Sequence, residues 1–280
     1  MAIANENLSS TDFERLRSLI YQEAGIRLTP EKKTMLEVRL RQRLRGLQLS
    51  SCTEYCNFLF GAGSMDHELV HLIDAVTTNK TDFFREPDHF DFLASSALDE
   101  IYARLGPGRE LLAWSAGCST GEEPYTLAMV LNEYAENKPG FRFHILATDI
   151  CTKVLDKARM GVFTTEMARP VPLPLRKKYF MFSRDRTSTL MRIVPELRAR
   201  IEFRRVNLMD AEYGLTEIPQ IIFCRNVIIY FDRPTQAKLL QNLVRNLAPG
   251  GFFFAGHSES LQNMNLPLES VGPVVYRKHP

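Results

Sequence analysis

Residues 111–128 read LLAWSAGCSTGEEPYTLA. An apolar run ends in small residues, passes Gly117 and Gly121, and opens into helix-like composition. A strand, a glycine turn and a helix start form the layout that commonly cradles phosphate. A phosphate loop, however, needs a lysine after its glycines. Here Glu122 and Glu123 follow, and the G-x-G-x-x-G dinucleotide fingerprint is absent. Carboxylates repel a triphosphate and suit a ligand that carries hydroxyls and positive charge. The same residues also fit a plain turn whose acids are solvated.

Working outward, FHILATDI (143–150), IIFCRNVIIYF (221–231) and GFFFAGHS (251–258) are further apolar runs ending in small or polar residues. Helix-like segments, 122–137, 152–160 and 234–248, lie between them. Strands alternating with helices predict an α/β fold with a mostly parallel, doubly wound sheet. Ligands bind such sheets at the carboxyl ends of the strands. Asp149, ending ATDI, stands where these folds hold a ribose. S-adenosylmethionine combines ribose hydroxyls with an ammonium and a sulfonium, so it fits a turn edged with acids.

Before about residue 110 no clear strand signal occurs. Leu36, Leu40, Leu44 and Leu47 share one helical face, and Leu69, Leu72, Ile73 and Val76 another. Ser10 or Thr11 is placed to cap the first helix, with Glu14 closing a capping box. A helical N-terminal domain over 1–76 and an α/β domain over 77–280 are expected. Within the latter, TTEMARPVPLP is proline-broken, and YFMFS, TLMRIV and IEFRRV read as short strands. They predict an inserted small antiparallel β-subdomain at about 163–206.

The 280 residues carry a net charge of +2, too small for a general nucleic-acid binder or a membrane-surface protein. The start, MAIANENLSS, lacks the basic and apolar regions of a signal peptide. No apolar run nears the roughly 18 residues of a bilayer span. Five cysteines without framework spacing fit a reducing cytoplasm. No nucleic acid, no membrane insertion and no metal are expected.

Six motifs then stand in order: TNKTDFFRE (78–86), WSAGCSTGEEPY (114–125), ATDI (147–150), VNL (206–208), IIFCRNVIIYF (221–231) and FAGHSES (254–260). Together they resemble the CheR family, the chemotaxis receptor glutamate methyltransferases, over nearly the whole chain. The resemblance implies a Rossmann-like class I methyltransferase sheet and S-adenosylmethionine as donor, leaving S-adenosylhomocysteine. It also implies transfer to glutamate side chains in the cytoplasmic helical region of chemoreceptors. By position it implies cofactor contacts at Asn79, Thr81 and Arg85, at Glu123, at Asp149 on the adenosine side, at Asn207 and Leu208 near adenine, and at Arg225 and Asn226. Arg85 and Tyr230 match positions beside the reaction centre. Gly117 and Cys118 stand where the family has small residues. Two rivals are a cofactor-holding signalling module without turnover and a methyltransferase acting on RNA or another protein.

Segment 31–47 carries Lys32, Lys33, Arg39, Arg41, Arg43 and Arg45 against Glu31 and Glu37. Such a face is either solvated or docks an acidic receptor helix, with Arg39, Arg41, Arg43 and Arg45 as candidate contacts. On a helical wheel Arg39 and Arg43 flank the leucine stripe, while Arg41 and Arg45 lie nearer the back. The inserted strands offer an edge for an extended receptor C-terminal peptide. The tip FSRDRTST lacks the glycines associated with that role, so tethering stays open.

Two motifs mislead. HELVH (67–71) matches the zinc-protease signature, but both histidines point away from the apolar face and no convincing third ligand follows, although Glu86 lies at a possible distance. GHSES (256–260) departs from the nucleophile elbow at Ser260, and of the histidines only His279 follows it.

Overall fold

The computed structural model describes residues 8–61, 65–106, 108–185, 187–262 and 264–280. Residues 1–7, which make up most of the polar start, and Arg186 of the FSRDRTST tip lie outside the described residues. Four helices come first: α1 (Ser10–Ala24), α2 (Lys33–Leu47), α3 (Cys52–Leu59) and α4 (Met65–Val76). Ser9, one residue before the expected cap, is extended and accepts from the Asp12 N–H at 3.0 Å. Its reciprocal partner is Asp12, at 2.8 Å, while Glu14 pairs with Arg17. Leu36, Leu40 and Leu44 of α2 bury against Leu72, Ile73 and Val76 of α4, with Tyr55 and Cys56 of α3 in the same core.

A polar cluster fastens that core. Glu68 of α4 is 3% exposed and accepts two hydrogen bonds from Arg43, at 2.7 and 2.6 Å. Tyr55 donates to the same carboxylate at 2.9 Å. A buried carboxylate is stable only when paired and hydrogen-bonded, and this one is both.

The chain continues through α5 (Pro87–Phe92), a π-turn, α6 (Leu98–Leu105), β1 (Glu110–Ala116), α7 (Glu122–Glu136), β2 (Arg142–Asp149) and α8 (Thr152–Met160). Then come β3 (Val162–Thr164), α9 (Leu173–Tyr179), β4 (Phe180–Phe182), β5 (Leu190–Ile193), α10 (Pro195–Arg198) and β6 (Ile201–Arg205). The last elements are β7 (Ile221–Cys224), α11 (Arg233–Arg245), β8 (Phe252–Ala255), β9 (Leu268–Gly272) and β10 (Val275–Lys278).

The main sheet runs β6-β2-β1-β7-β8-β10-β9. Its first five strands are parallel and β10 is antiparallel to both neighbours. Parallel strands are covered on both faces, so β7 and β8 are buried at every residue. From β1 the chain steps to β2 on one side and later returns to β7 on the other. That reversal is a topological switch point, where a crevice opens at the strand ends.

Two sequence expectations change. IEFRRV does not belong to the inserted strands: β6 pairs parallel with β2, Ile145 opposite Ile201. The small sheet is instead β3-β5-β4, antiparallel throughout. And IIFCRNVIIYF is not one strand. After Cys224 the chain turns through Asn226 at φ +58° into a 3₁₀ turn over Ile228–Tyr230. Among the described residues no helix is long and apolar enough to cross a membrane.

If Arg43 serves the fold, Arg43→Ala should lower unfolding free energy by about 3 kcal/mol, because Glu68 is left buried and uncompensated. Arg45→Ala, on an exposed side chain, should stay within about 0.5 kcal/mol. Denaturant melts of the two variants check this.

Candidate functional site

The glycine turn is built by hydrogen bonds as much as by glycine. The N–H groups of Gly117 and Cys118 both donate to the Thr148 carbonyl, at 2.8 and 2.9 Å, lashing the end of β1 to the end of β2. Gly117 sits at φ +90° and Gly121 at φ +102°, a region that favours glycine. A Cβ on Gly117 would also lie 2.4 Å from Val227 Cγ2, so the turn packs directly against the loop after β7. Between the glycines, the Ser119 N–H donates to Asp149 Oδ2 at 2.9 Å. The Cys151 N–H donates to Asp149 Oδ1, also at 2.9 Å. Burial pushes the Asp149 carboxyl up from its ordinary value, against the pull of those N–H groups.

The segment after α4 closes the crevice from the other side. Arg39 donates to the carbonyls of Val76 and Thr77 and to Thr78 Oγ1. Ser119 Oγ–H donates to the Asn79 carbonyl at 3.0 Å. Phe83 is buried between Phe163 and Phe180 of the small sheet. Asp74 of α4 accepts from the Thr152 N–H and hydroxyl at 2.8 and 2.6 Å, joining the helical domain to the start of α8. Asn207 donates to the Glu23 carbonyl at 2.6 Å, a second such joint.

At the centre lies Arg225, 6% exposed. It donates to Glu86 Oε2 at 3.2 and 2.9 Å, to Glu123 Oε2 at 3.3 Å and to the Arg85 carbonyl. Its guanidinium lies over the rings of Phe90 and Phe223. Glu123 is fixed at its other oxygen by the Ser115 hydroxyl, at 2.7 Å. Burial raises the Glu123 carboxyl, with Arg225 pulling it down. At Glu86 burial also pushes upward, but Arg225 and the donors His257 N–H and Asn226 outweigh it, and the carboxyl is held below its usual range.

One cleft results, of about 1170 Å³ counting space open to solvent. Asn79, Thr81, Arg85, Glu123, Asp149, Asn207, Leu208, Arg225, Asn226 and Tyr230 all line it. Ala24, Ile26, Leu28 and Met35 give it an apolar wall from the helical domain. The carboxylates Glu123 and Asp149 keep unused lone pairs for hydroxyl or ammonium donors. A ligand with a flat apolar end and a polar, cationic end matches that lining.

The helix face 31–47 divides. Arg39 and Arg43 are engaged within the chain, with the loop 76–78 and with Glu68. Arg41 pairs with Glu37 at 2.9 Å yet keeps 43% of its side chain exposed, and Arg45 is exposed. HELVH has no glutamate free to activate water, since Glu68 is held by Arg43 and Tyr55.

Sequence reasoning missed Glu259 of GHSES. It is 4% exposed and accepts from the N–H groups of Gly256, Asn226, Ile228 and Ile229 at 2.8, 2.7, 2.7 and 3.3 Å. That carboxylate shapes the turn which carries Asn226 and Tyr230 to the cleft. Glu86, weighed in the sequence only as a distant third ligand for HELVH, was missed as the partner of Arg225.

A family model described as "CheR methyltransferase, SAM binding domain" matches residues 79–276, and one described as "CheR methyltransferase, all-alpha domain" matches residues 11–77. The chain is 41% identical over 266 residues to chemotaxis protein methyltransferase 2 of Pseudomonas aeruginosa, spanning 95% of this chain and 92% of that protein. It is 37% identical to the chemotaxis protein methyltransferase of Borreliella burgdorferi (98% and 96% covered) and 39% identical to that of Escherichia coli (96% and 91%). With both models matched in order and relatives this similar along almost their full length, the chain belongs to the CheR methyltransferase family.

Proposed function

We propose that the chain transfers a methyl group from S-adenosylmethionine to glutamate side chains of chemoreceptors, giving glutamate methyl esters. The observation that carries this is the cleft that Glu123 and Asp149, near successive strand ends, line together with Arg85 and Tyr230. The relatives are named chemotaxis protein methyltransferases, which supports the choice of substrate.

S-adenosylmethionine supplies, when bound, a sulfonium methyl open to displacement. Asp149 and the backbone around Ser119 suit the ribose side, and Asn207 and Leu208 the adenine side. Glu123 suits the ammonium. The receptor glutamate is already ionised at neutral pH, its ordinary pKa being about 4.3. It needs no general base, and Arg85 and Tyr230 hold and aim it without moving a proton. Attack of an anion on a sulfonium cancels two charges, which bulk water opposes by solvating them. Buried Arg225 and Phe90, which line the cleft, restrict that water, so alignment and desolvation carry the rate.

For docking, the exposed guanidiniums of Arg41 and Arg45 suit an acidic receptor helix. A second contact is an extended receptor C-terminal peptide along β4, an edge strand of the small sheet with Met181 and Phe182 exposed.

Calorimetry should show binding of S-adenosylmethionine and S-adenosylhomocysteine, weakened about tenfold or more in Asp149→Ala. Tritiated methyl should pass to receptor cytoplasmic fragments and be released by base as methanol. Base-stable label, or label on RNA, would instead select a different acceptor. Tyr230→Phe should slow turnover while leaving the shape of the pH–rate profile unchanged, and a limb that disappears with the hydroxyl would make Tyr230 a proton donor or acceptor. Arg41→Glu with Arg45→Glu should reduce receptor methylation and flatten its salt dependence without altering cofactor affinity.

A further inference from the structure

Beside the Glu86–Arg225 pair lies a group that methyl transfer does not use. His89 is 0% exposed, and neither of its ring nitrogens has a hydrogen-bond partner among the described residues. Its Nδ1 stands 3.5 Å from Glu86 Oε2. The ring of His257 approaches at 5.1 Å between centroids, edge to face. One donor atom each from Glu86, His89 and His257 lies within 4.8 Å of the others. A tetrahedral zinc ion with bonds of about 2.0–2.2 Å holds its ligand atoms about 3.3–3.5 Å apart. His89 Nδ1 already stands at that spacing from Glu86 Oε2, but Arg225 holds that oxygen, so an ion takes Oε1 after a small turn of the carboxylate. The His257 side chain, 49% exposed and in contact with Asp88, closes the remainder by a small rotation.

The surroundings complete the set. Asp88 Oδ2 lies 3.0 Å from His257 Nε2. A carboxylate on imidazole is the arrangement that orients metal-bound histidines. Glu86 Oε1 receives only long contacts, 3.3 Å from Asn226 Nδ2 and 3.3 Å from the His257 N–H, so it keeps a lone pair for an ion. Arg225 on Oε2 opposes any cation. It opposes most effectively the hard ions, Mg²⁺ and Ca²⁺, which depend on oxygen ligands. A late first-row metal gains from two imidazoles what it loses to the guanidinium.

We propose that Glu86, His89 and His257 form a site for one divalent late first-row transition-metal ion, zinc being the best match. Occupancy ties the turn after β8, which carries His257, to α5, which carries His89, and draws on the carboxylate that anchors Arg225. No spacing in the sequence announces the site, because Glu86 and His89 meet His257 only through the fold.

Calorimetric titration of the metal-free full chain with ZnCl₂, and separately with MgCl₂, tests this. One Zn²⁺ per chain and no Mg²⁺ binding are expected. His257→Ala should weaken Zn²⁺ at least about tenfold and keep wild-type circular dichroism and S-adenosylhomocysteine affinity. The double variant His67→Ala with His71→Ala should bind Zn²⁺ as the wild type does. Zn²⁺ should raise the melting temperature of the wild type and the double variant, and not of His257→Ala. Absence of stoichiometric Zn²⁺ binding, undiminished binding in His257→Ala, or loss of binding in the double variant would overturn the proposal. Cofactor affinity is measured independently, so failure here leaves the methyltransferase reading untouched.

Discussion

A guanidinium removed from water must be neutralised and its N–H groups satisfied, or the fold around it fails. Arg225 meets that demand with Glu86, Glu123 and the Arg85 carbonyl, against two aromatic rings. The partners come from two distant parts of the chain: the Arg85 carbonyl and Glu86 from the loop before α5, and Glu123 from the start of α7. With its own loop after β7, a single buried cation therefore sets the relative position of three segments. Glu123 is in turn fixed by Ser115 in β1, so the constraint passes into the sheet itself.

A second carboxylate does similar work one strand over. Glu259 collects four N–H groups and bends the chain after β7 away from the sheet. The bend is why Tyr230 reaches the cleft rather than continuing a strand. The switch point supplies the crevice, and these two buried charges decide what projects into it.

Much of this was legible in the residues. The runs LLAWSAG, FHILATDI and GFFFAGHS are strands of the main sheet because continuous apolar runs bounded by small residues fit a doubly covered parallel sheet. The cleft residues were legible through the motifs that carry them. What was not legible depended on partners distant in sequence. IIFCRNVIIYF is apolar beyond Cys224, and nothing in its composition shows that Asn226 takes a positive φ under the hold of Glu259. IEFRRV alternates polar and apolar residues because β6, at the sheet edge, pairs with β2 alone, so it resembles the short antiparallel strands. Arg39 and Arg43 look like surface charge on a wheel. Their place beside the leucine stripe is also where a long side chain reaches across to α4 and the loop after it.

The apolar wall of the cleft comes from Ala24, Ile26, Leu28 and Met35, while its floor and acids come from the sheet. Neither half encloses the ligand space alone. Severing the chain between the two would give a sheet with a shallow, wetted trough and a bundle with an uncovered greasy flank. Cofactor capture is thus a property of the junction, and evolutionary drift in the first 35 residues reaches the reaction centre as directly as drift in the glycine turn.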